Sequence, residues 1–192
     1  MKWKFKRIMG ILLSLTLLLG EIPGMSIMAY AGTDTYTTLK NNATVVKFND
    51  YNWYIIEDNS TSATEGTVTL LAADDKFGTS AFSDSMSNAY SSSKIRDALD
   101  AYTTTGAFKD VASAIETVKV KGSDSDTEVD AKLYLLDTAT AQSLNSTILN
   151  YNFPNSEMMG GWWLRSAGNN AYIAACVFGE YGYVLDRGNI VL

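Results

Sequence analysis

The amino-acid sequence predicts an α+β fold in which small antiparallel sheets pack against two or three helices. Runs of β-branched and aromatic residues at 44–48, 53–56 and 67–72 have the length and composition of strands. Amphipathic helical patterns follow these runs, and the chain ends in short aromatic segments punctuated by glycine. The expected order is therefore strands, then helices, then strands again.

The first three strands are expected to form an antiparallel meander. Residues 49–52, with the sequence Asn-Asp-Tyr-Asn, have the composition of a hairpin turn between the first two strands. Residues 58–66 are polar and rich in turn residues, so we expect a loop there before the third strand.

Two helix caps can be identified in the middle of the chain. Ser93 is suited to cap a helix whose apolar residues recur at helical spacing, and a second short helix is predicted over residues 108–115. Residues 133–136 are apolar throughout, as in a buried strand. Asp137 follows that strand and is the expected cap of a helix from residue 138 to about 149.

The N-terminus has the three parts of a secretion signal. Four basic residues among the first seven precede an apolar stretch over residues 8–19, and the small residues Ala29 and Ala31 suit a cleavage site. The apolar stretch is shorter than the roughly 20 residues that span a hydrocarbon core, and Glu21 and Pro23 interrupt it. We therefore expect cleavage after Ala31 and an extracellular protein, secreted or associated with the cell surface. A retained signal anchor is the alternative.

The chain that remains after removal of residues 1–31 suits one globular domain, placed at residues 43–192, with residues 32–42 as a linker or edge strand. The full chain has 15 basic and 21 acidic residues; residues 1–31 hold four and one of these, which leaves 11 and 20 and a net charge of −9. Nucleic acid and anionic membranes require basic surfaces, so we expect neither as a partner.

The residue types that are missing restrict the possible chemistry. The sequence has no histidine, which removes Ser-His-Asp and Cys-His catalysis and histidine zinc sites. Cys176 is the only cysteine, so no disulfide can form within the chain, and its apolar neighbours predict a buried thiol. Residues 124–130 begin like a calcium loop, but Val129 and Leu135 stand where an EF-hand needs Gly and Glu. We expect a solvated loop there, and neither metal nor cofactor.

The most distinctive segment is Gly-Trp-Trp-Leu-Arg-Ser-Ala-Gly at residues 161–168. In a strand, adjacent residues point to opposite faces, so Trp162 and Trp163 cannot share one face. We expect one indole to fill the core, and Arg165, if covered, to need a carboxylate or carbonyl partner. Taken alone, these residues indicate a core tryptophan and a structural arginine.

This segment resembles the Trp-Trp-Leu-Arg-Ser-Pro-Gly signature of a large family of uncharacterised extracellular domains of Gram-positive bacteria, with Ala167 in the place of Pro. The matching motif residues are Trp162, Trp163, Leu164, Arg165, Ser166 and Gly168. The resemblance covers roughly residues 43–192. It implies a fold similar to C-type lectins and formylglycine-generating enzymes, with variable loops that bind ligands.

The same resemblance sets limits on what can be carried over. Family members usually continue into a Gly-Val-Arg-Pro-Ala closing strand, so the resemblance implies a domain truncated at Leu192. The cysteines of formylglycine-generating enzymes and the calcium and sugar motifs of C-type lectins are not matched, so neither activity is implied. Similar domains are also the variable proteins of diversity-generating retroelements, in which aromatic, Asn, Asp and Ser positions near the C-terminus are randomised.

The C-terminal strands and turns combine rigid aromatic side chains with hydrogen-bonding groups, a mixture typical of adaptable recognition surfaces. The candidate binding residues are Asn169, Asn170, Tyr172, Tyr181, Tyr183, Asp186, Arg187 and Asn189. We therefore expect a noncatalytic binding module for an extracellular protein or glycan. Its aromatic residues could instead complete the core. The alternative functions are a structural envelope protein and a carbohydrate or cell-wall hydrolase acting through Glu180 and Asp186.

Overall fold

The structure, a computed structural model, describes residues 9–10, 13–19, 36–62, 64–150 and 160–191. These residues form two five-stranded sheets, a two-stranded hairpin and short helices, which confirms the α+β class. No helix in these ranges is long and apolar enough to cross a membrane. The basic N-terminus, the expected cleavage site at Ala29 to Ala31, the start of the expected linker and Leu192 lie outside the described residues.

Twelve strands occur in the described residues. They are β1 (Met9–Gly10), β2 (Leu13–Leu18), β3 (Val45–Phe48), β4 (Tyr51–Ser62), β5 (Glu65–Ala72), β6 (Thr79–Ser80), β7 (Val118–Val120), β8 (Val129–Ala131), β9 (Tyr134–Leu135), β10 (Trp162–Ala167), β11 (Ile173–Phe178) and β12 (Tyr183–Ile190). The α-helices are α1 (Lys94–Thr104), α2 (Thr138–Gln142) and α3 (Ser146–Leu149), and 3₁₀ turns occupy Thr37–Leu39, Tyr90–Ser92 and Lys109–Ala114. The meander sheet has the order β3-β4-β5-β2-β9, the C-terminal sheet has the order β12-β11-β10-β1-β6, and β7 pairs with β8.

The predicted antiparallel meander is confirmed as β3, β4 and β5. Its first turn is tighter than expected: only Asn49 and Asp50 connect the strands, with φ of 51° and 63°, the left-handed conformation that two-residue hairpins favour. The expected loop at residues 58–66 is wrong. Residues 58–62 continue β4, because they pair with residues 65–68 of β5 after a bulge.

The strand β2 is an interior strand of the meander sheet, with β5 and β9 as antiparallel partners on its two sides. Leu13 and Leu15 are fully buried and Leu17 is 5% exposed. The hydroxyl of Ser14 donates to the backbone oxygen of Tyr134 at 3.1 Å. The apolar stretch assigned to the secretion signal therefore supplies a core strand while it is attached, and its removal after Ala31 stays a prediction.

Most of the predicted helical segments are present, with two changes. Ser93 caps α1 by accepting from the Arg96 backbone N–H at 3.1 Å, as predicted. The second helix is a 3₁₀ turn and not an α-helix. The helix predicted from residue 138 to 149 is divided, because the Asn145 side chain accepts from the Thr147 N–H and starts α3 anew.

The meander sheet is antiparallel, as predicted, whereas the C-terminal sheet is mixed. β1 runs parallel to β10, with Gly10 opposite Trp162, and antiparallel to β6. Residues of the expected signal thus take part in both sheets. Helix α1 and the segment at Phe108 pack on the meander sheet through a cluster of aromatic rings, with Trp53 and Phe108 centroids 6.0 Å apart and Phe77 and Tyr102 centroids 5.5 Å apart.

Replacement of Leu15 by alanine in the intact chain is expected to lower the free energy of unfolding by about 2–5 kcal/mol, because the side chain is fully buried between two sheet neighbours. Leu18→Ala is the matched control, because Leu18 is only half-buried at the end of the same strand and should cost clearly less. Urea unfolding of the uncleaved protein measures both. Equal, negligible effects would contradict a role for β2 in the core.

Candidate functional site

Both indoles of the motif are buried. Trp162 and Trp163 have no exposed surface, because β10 is an interior strand and both of its faces are covered. The Trp163 indole N–H donates to the Ser80 backbone oxygen at 3.0 Å, and its ring meets Phe82 edge-on at 5.5 Å. The sequence predicts one indole in the core, whereas the structure buries both.

Arg165 has the carboxylate and carbonyl partners that the sequence analysis required. Its guanidinium donates to the backbone oxygens of Lys121 at 3.2 Å and Leu135 at 2.6 Å, and it forms an ion pair with Asp137. The guanidinium also lies 5.8 Å from the centroid of the Tyr134 ring. One side chain of the C-terminal sheet thus holds β9, the segment after β7 and the start of α2.

Asp137 has two tasks in this arrangement. It caps α2 by accepting from the Thr140 backbone N–H at 2.7 Å, and it faces the Arg165 guanidinium. Burial alone would raise the pKa of the Asp137 carboxyl, but the Thr140 hydrogen bond and the charge of Arg165 outweigh burial and hold that pKa below its ordinary value. The carboxylate is therefore ionised throughout the neutral range.

Two clefts border Arg165, and neither is predicted by the sequence. One, of about 230 Å³, lies between Tyr134, Ile56 and Val118, and the other, of about 540 Å³, lies beside Lys121 and Ser166. The cations at the larger cleft are already paired: Lys119 lies 3.3 Å from Glu128, and Lys121 lies 2.9 Å from Asp124. Because the lining residues come from distant parts of the chain, no local sequence pattern could reveal them.

The acidic segment that begins like a calcium loop connects β7 and β8, as predicted for a loop between strands. The Asp126 carboxylate accepts from the Ser91 hydroxyl at 2.5 Å and from the Gly122 backbone N–H at 3.1 Å. Burial would raise the pKa of Asp126, but these hydrogen bonds lower it below its ordinary value. Its oxygens thus serve the protein's own donors, and no group of three possible metal ligands occurs among the described residues.

Cys176 is buried in β11, as predicted, and burial raises the pKa of its thiol to about 12. A neutral, buried thiol is a poor nucleophile. This residue therefore belongs to the core of the C-terminal sheet.

Tyr181 and Tyr183 form an exposed aromatic pair where β12 begins. Their side chains are 52% and 68% exposed, and the two rings stack with centroids 6.1 Å apart and an interplanar angle of 25°. Gly182 between them has φ of +61°, and a Cβ there would lie 2.2 Å from the Asn150 side-chain oxygen. The close approach of Asn150 makes the backbone between the two rings hard to alter. We call these two residues the tyrosine surface.

The other candidate binding residues lie away from the tyrosine surface. Asn169, Asn170 and Tyr172 are in the turn between β10 and β11, at the opposite end of a six-residue strand, roughly 20 Å away at about 3.3 Å per residue. The Asn88 side chain holds this turn by donating to the Asn170 backbone oxygen at 2.8 Å. The structure therefore divides the predicted set into two groups.

The last three candidates lie further along β12. Asp186 and Arg187 are exposed at an irregularity in the pairing of β11 with β12, and the Arg187 backbone oxygen accepts from the Asn169 N–H at 3.2 Å. Asn189 is only 7% exposed, so its placement on an accessible surface is wrong. It pairs with Ala174 of β11 in the sheet.

Comparison with protein-family models, with curated proteins and with solved structures finds no match to this chain. The resemblance drawn from the tryptophan motif stays a hypothesis.

Replacement of Arg165 by lysine is expected to lower the free energy of unfolding by about 3 kcal/mol. A lysine cannot reproduce the fork that reaches Lys121 O, Leu135 O and Asp137 together, and each lost hydrogen bond to a charged group costs about 1.5 kcal/mol or more. Arg187→Lys, at an exposed position, should stay within about 0.5 kcal/mol of the parent. Equal effects in chemical unfolding would contradict the structural role of Arg165.

The lowered pKa of Asp137 predicts a specific acid sensitivity. The stabilisation that this carboxylate gives is present above its unfolded pKa, about 3.9, and is lost as the pH falls through the lower folded value. Asp137→Asn should therefore be less stable than the parent at pH 7, and the difference should shrink below about pH 4. Unfolding curves at several pH values measure this difference; a gap that stays constant with pH would contradict the assignment.

Proposed function

We propose that this chain is a noncatalytic binding module whose ligand lies against the tyrosine surface. The observation that carries the proposal is the pair of stacked rings of Tyr181 and Tyr183, more than half exposed, on a turn whose Gly182 lies against the Asn150 side chain. Exposed aromatic side chains that stand together are uncommon on surfaces that bind nothing. Tyrosine offers large contact area at a small entropic cost and a hydroxyl for hydrogen bonding.

The size and chemistry of the surface favour a glycan over a folded protein as the ligand. A specific protein interface buries about 800 Å² on each partner, which two tyrosine rings cannot supply. Two rings tilted by only 25° can instead receive the apolar face of one or two sugar rings. Polar side chains that could bind hydroxyl groups are close in sequence or space: Glu180 precedes Tyr181, and the Asn150 side chain lies against Gly182.

The proposed setting is extracellular, and the proposed architecture is C-type-lectin-like. The N-terminal sequence, with basic, apolar and small-residue parts, supports export. The motif at residues 162–168 supports the architecture, since it forms an interior strand whose two indoles are buried and whose arginine joins separate parts of the fold. In this proposal the hairpin of β11 and β12 is a rigid base that presents the tyrosine surface.

The double substitution Tyr181→Ala/Tyr183→Ala is expected to weaken glycan binding at least about tenfold, which corresponds to about 1.4 kcal/mol. Folding should be retained, because both side chains are exposed. Isothermal titration against purified cell-wall polysaccharides and soluble oligosaccharides measures binding. Tyr172→Ala is the matched control: it removes an exposed tyrosine at the other end of β11 and should leave binding unchanged.

Three results would contradict the proposal. They are unaltered glycan binding by the double variant, an equal loss in Tyr172→Ala, and the absence of glycan binding by the folded parent. Protein binding in place of glycan binding would move the ligand class to an extracellular protein.

A further inference from the structure

Both edges of β2 are paired with other parts of the chain. Its neighbours come from far along the chain. β5 pairs along one edge of β2, and on the other edge residues 13–14 pair with β9 and residues 16–17 contact residues 115–116. The backbone N–H of Glu116 donates to the Thr16 oxygen at 2.8 Å, so both edges of the strand are in use. Removal of residues 1–31 would leave a gap between β5 and β9 in the meander sheet, and it would also remove β1 from between β10 and β6.

The side chains of β2 show which residue types the gap accepts. Alternate positions Leu13, Leu15 and Leu17 place aliphatic side chains in the core. Between them, Ser14 and Thr16 are also buried, and the Thr16 hydroxyl lies 3.2 Å from the Tyr134 hydroxyl. The site therefore accepts about six residues in extended conformation, uncharged, with leucine-like residues alternating with small hydroxyl residues.

We propose that the space between β5 and β9 is a strand-acceptor site, and that after signal removal it binds an extended apolar segment of a partner polypeptide. The segment runs antiparallel to β5, as β2 does with Leu15 opposite Leu70 and Leu17 opposite Val68. Backbone pairing supplies affinity and the alternate pockets supply selectivity, as in other cases of strand addition. The proposal rests on the predicted cleavage and not on the tyrosine surface, so the two can fail separately.

A charged or purely polar segment does not suit the site. The side chains of Leu13, Leu15 and Leu17 are buried, and the hydroxyl groups of Ser14 and Thr16 contact the Tyr134 oxygens and the Thr69 hydroxyl. A charge in place of one of the three leucines would be buried among apolar residues and would be strongly unfavourable. An open sheet edge flanked by buried apolar positions also tends to associate with other chains, which gives the vacant site a reason to be filled.

The test begins with the full chain, folded without export, in which a specific protease site is inserted between residues 31 and 36. After cutting, the two fragments are expected to stay together, because β2 is held by backbone pairing on both sides. A fluorescent peptide of residues 8–19, extended with lysines for solubility, should then exchange into the cut protein and saturate. Fluorescence anisotropy measures binding, and circular dichroism follows the fold.

Two altered peptides separate strand addition from apolar adhesion. A Leu15→Asp peptide should bind at least tenfold more weakly, whereas Leu18→Ala, at a half-buried position, should bind within about threefold of the parent. A peptide with residues 14–17 N-methylated keeps every side chain but loses its backbone donors, and it should not bind. Equal binding by this peptide would overturn the proposal.

The remaining outcomes also decide the question. A cut protein that unfolds when its N-terminal fragment leaves, and refolds on addition of the peptide, supports the acceptor site. A cut protein that stays folded without the fragment and binds no peptide overturns it, because the gap must then have closed. Unfolding that the peptide does not reverse overturns it as well. Exchange only with the N-terminal segment of a second intact copy would show strand swapping between copies and would overturn the assignment to a different partner.

Discussion

The Arg165 guanidinium is the interaction on which the arrangement of the sheets depends. It belongs to β10 of the C-terminal sheet, yet it donates to Leu135 in the meander sheet, to Lys121 after β7 and to Asp137 at the start of α2. A guanidinium can do this because its donors form a planar fork and its charge does not titrate. Removing it would leave carbonyl groups of several elements without their donor.

The same residues near the N-terminus have two roles that a single pattern cannot separate. An apolar stretch after basic residues is typical of a secretion signal, whereas an alternation of leucine with serine and threonine also suits a buried strand. Burial of three leucines contributes roughly 5–9 kcal/mol at about 1.5–3 kcal/mol each. Since a domain is stable by only about 5–15 kcal/mol, loss of β2 without replacement would remove much of the stability.

Local signals were predictable from the sequence and distant pairings were not. The caps Ser93 and Asp137 were found because a cap acts on N–H groups two or three residues away. The polar composition of residues 58–62 predicts a loop, whereas pairing with β5 makes them a strand. The hydrogen-bonding side chain of Asn189 makes it a candidate binding residue, but the residue is buried, and burial depends on residues distant in sequence.

Two paths join the strand-acceptor site and the tyrosine surface. β9 borders the strand-acceptor site and also supplies the Leu135 oxygen to Arg165, so the packing of β10 depends on an ordered β9. From β10, the tyrosine surface is reached across β11 to the edge strand β12. A donor strand therefore acts on the glycan site by ordering β9 and, through Arg165, β10, whereas the native segment also acts directly through β1, which pairs with β10.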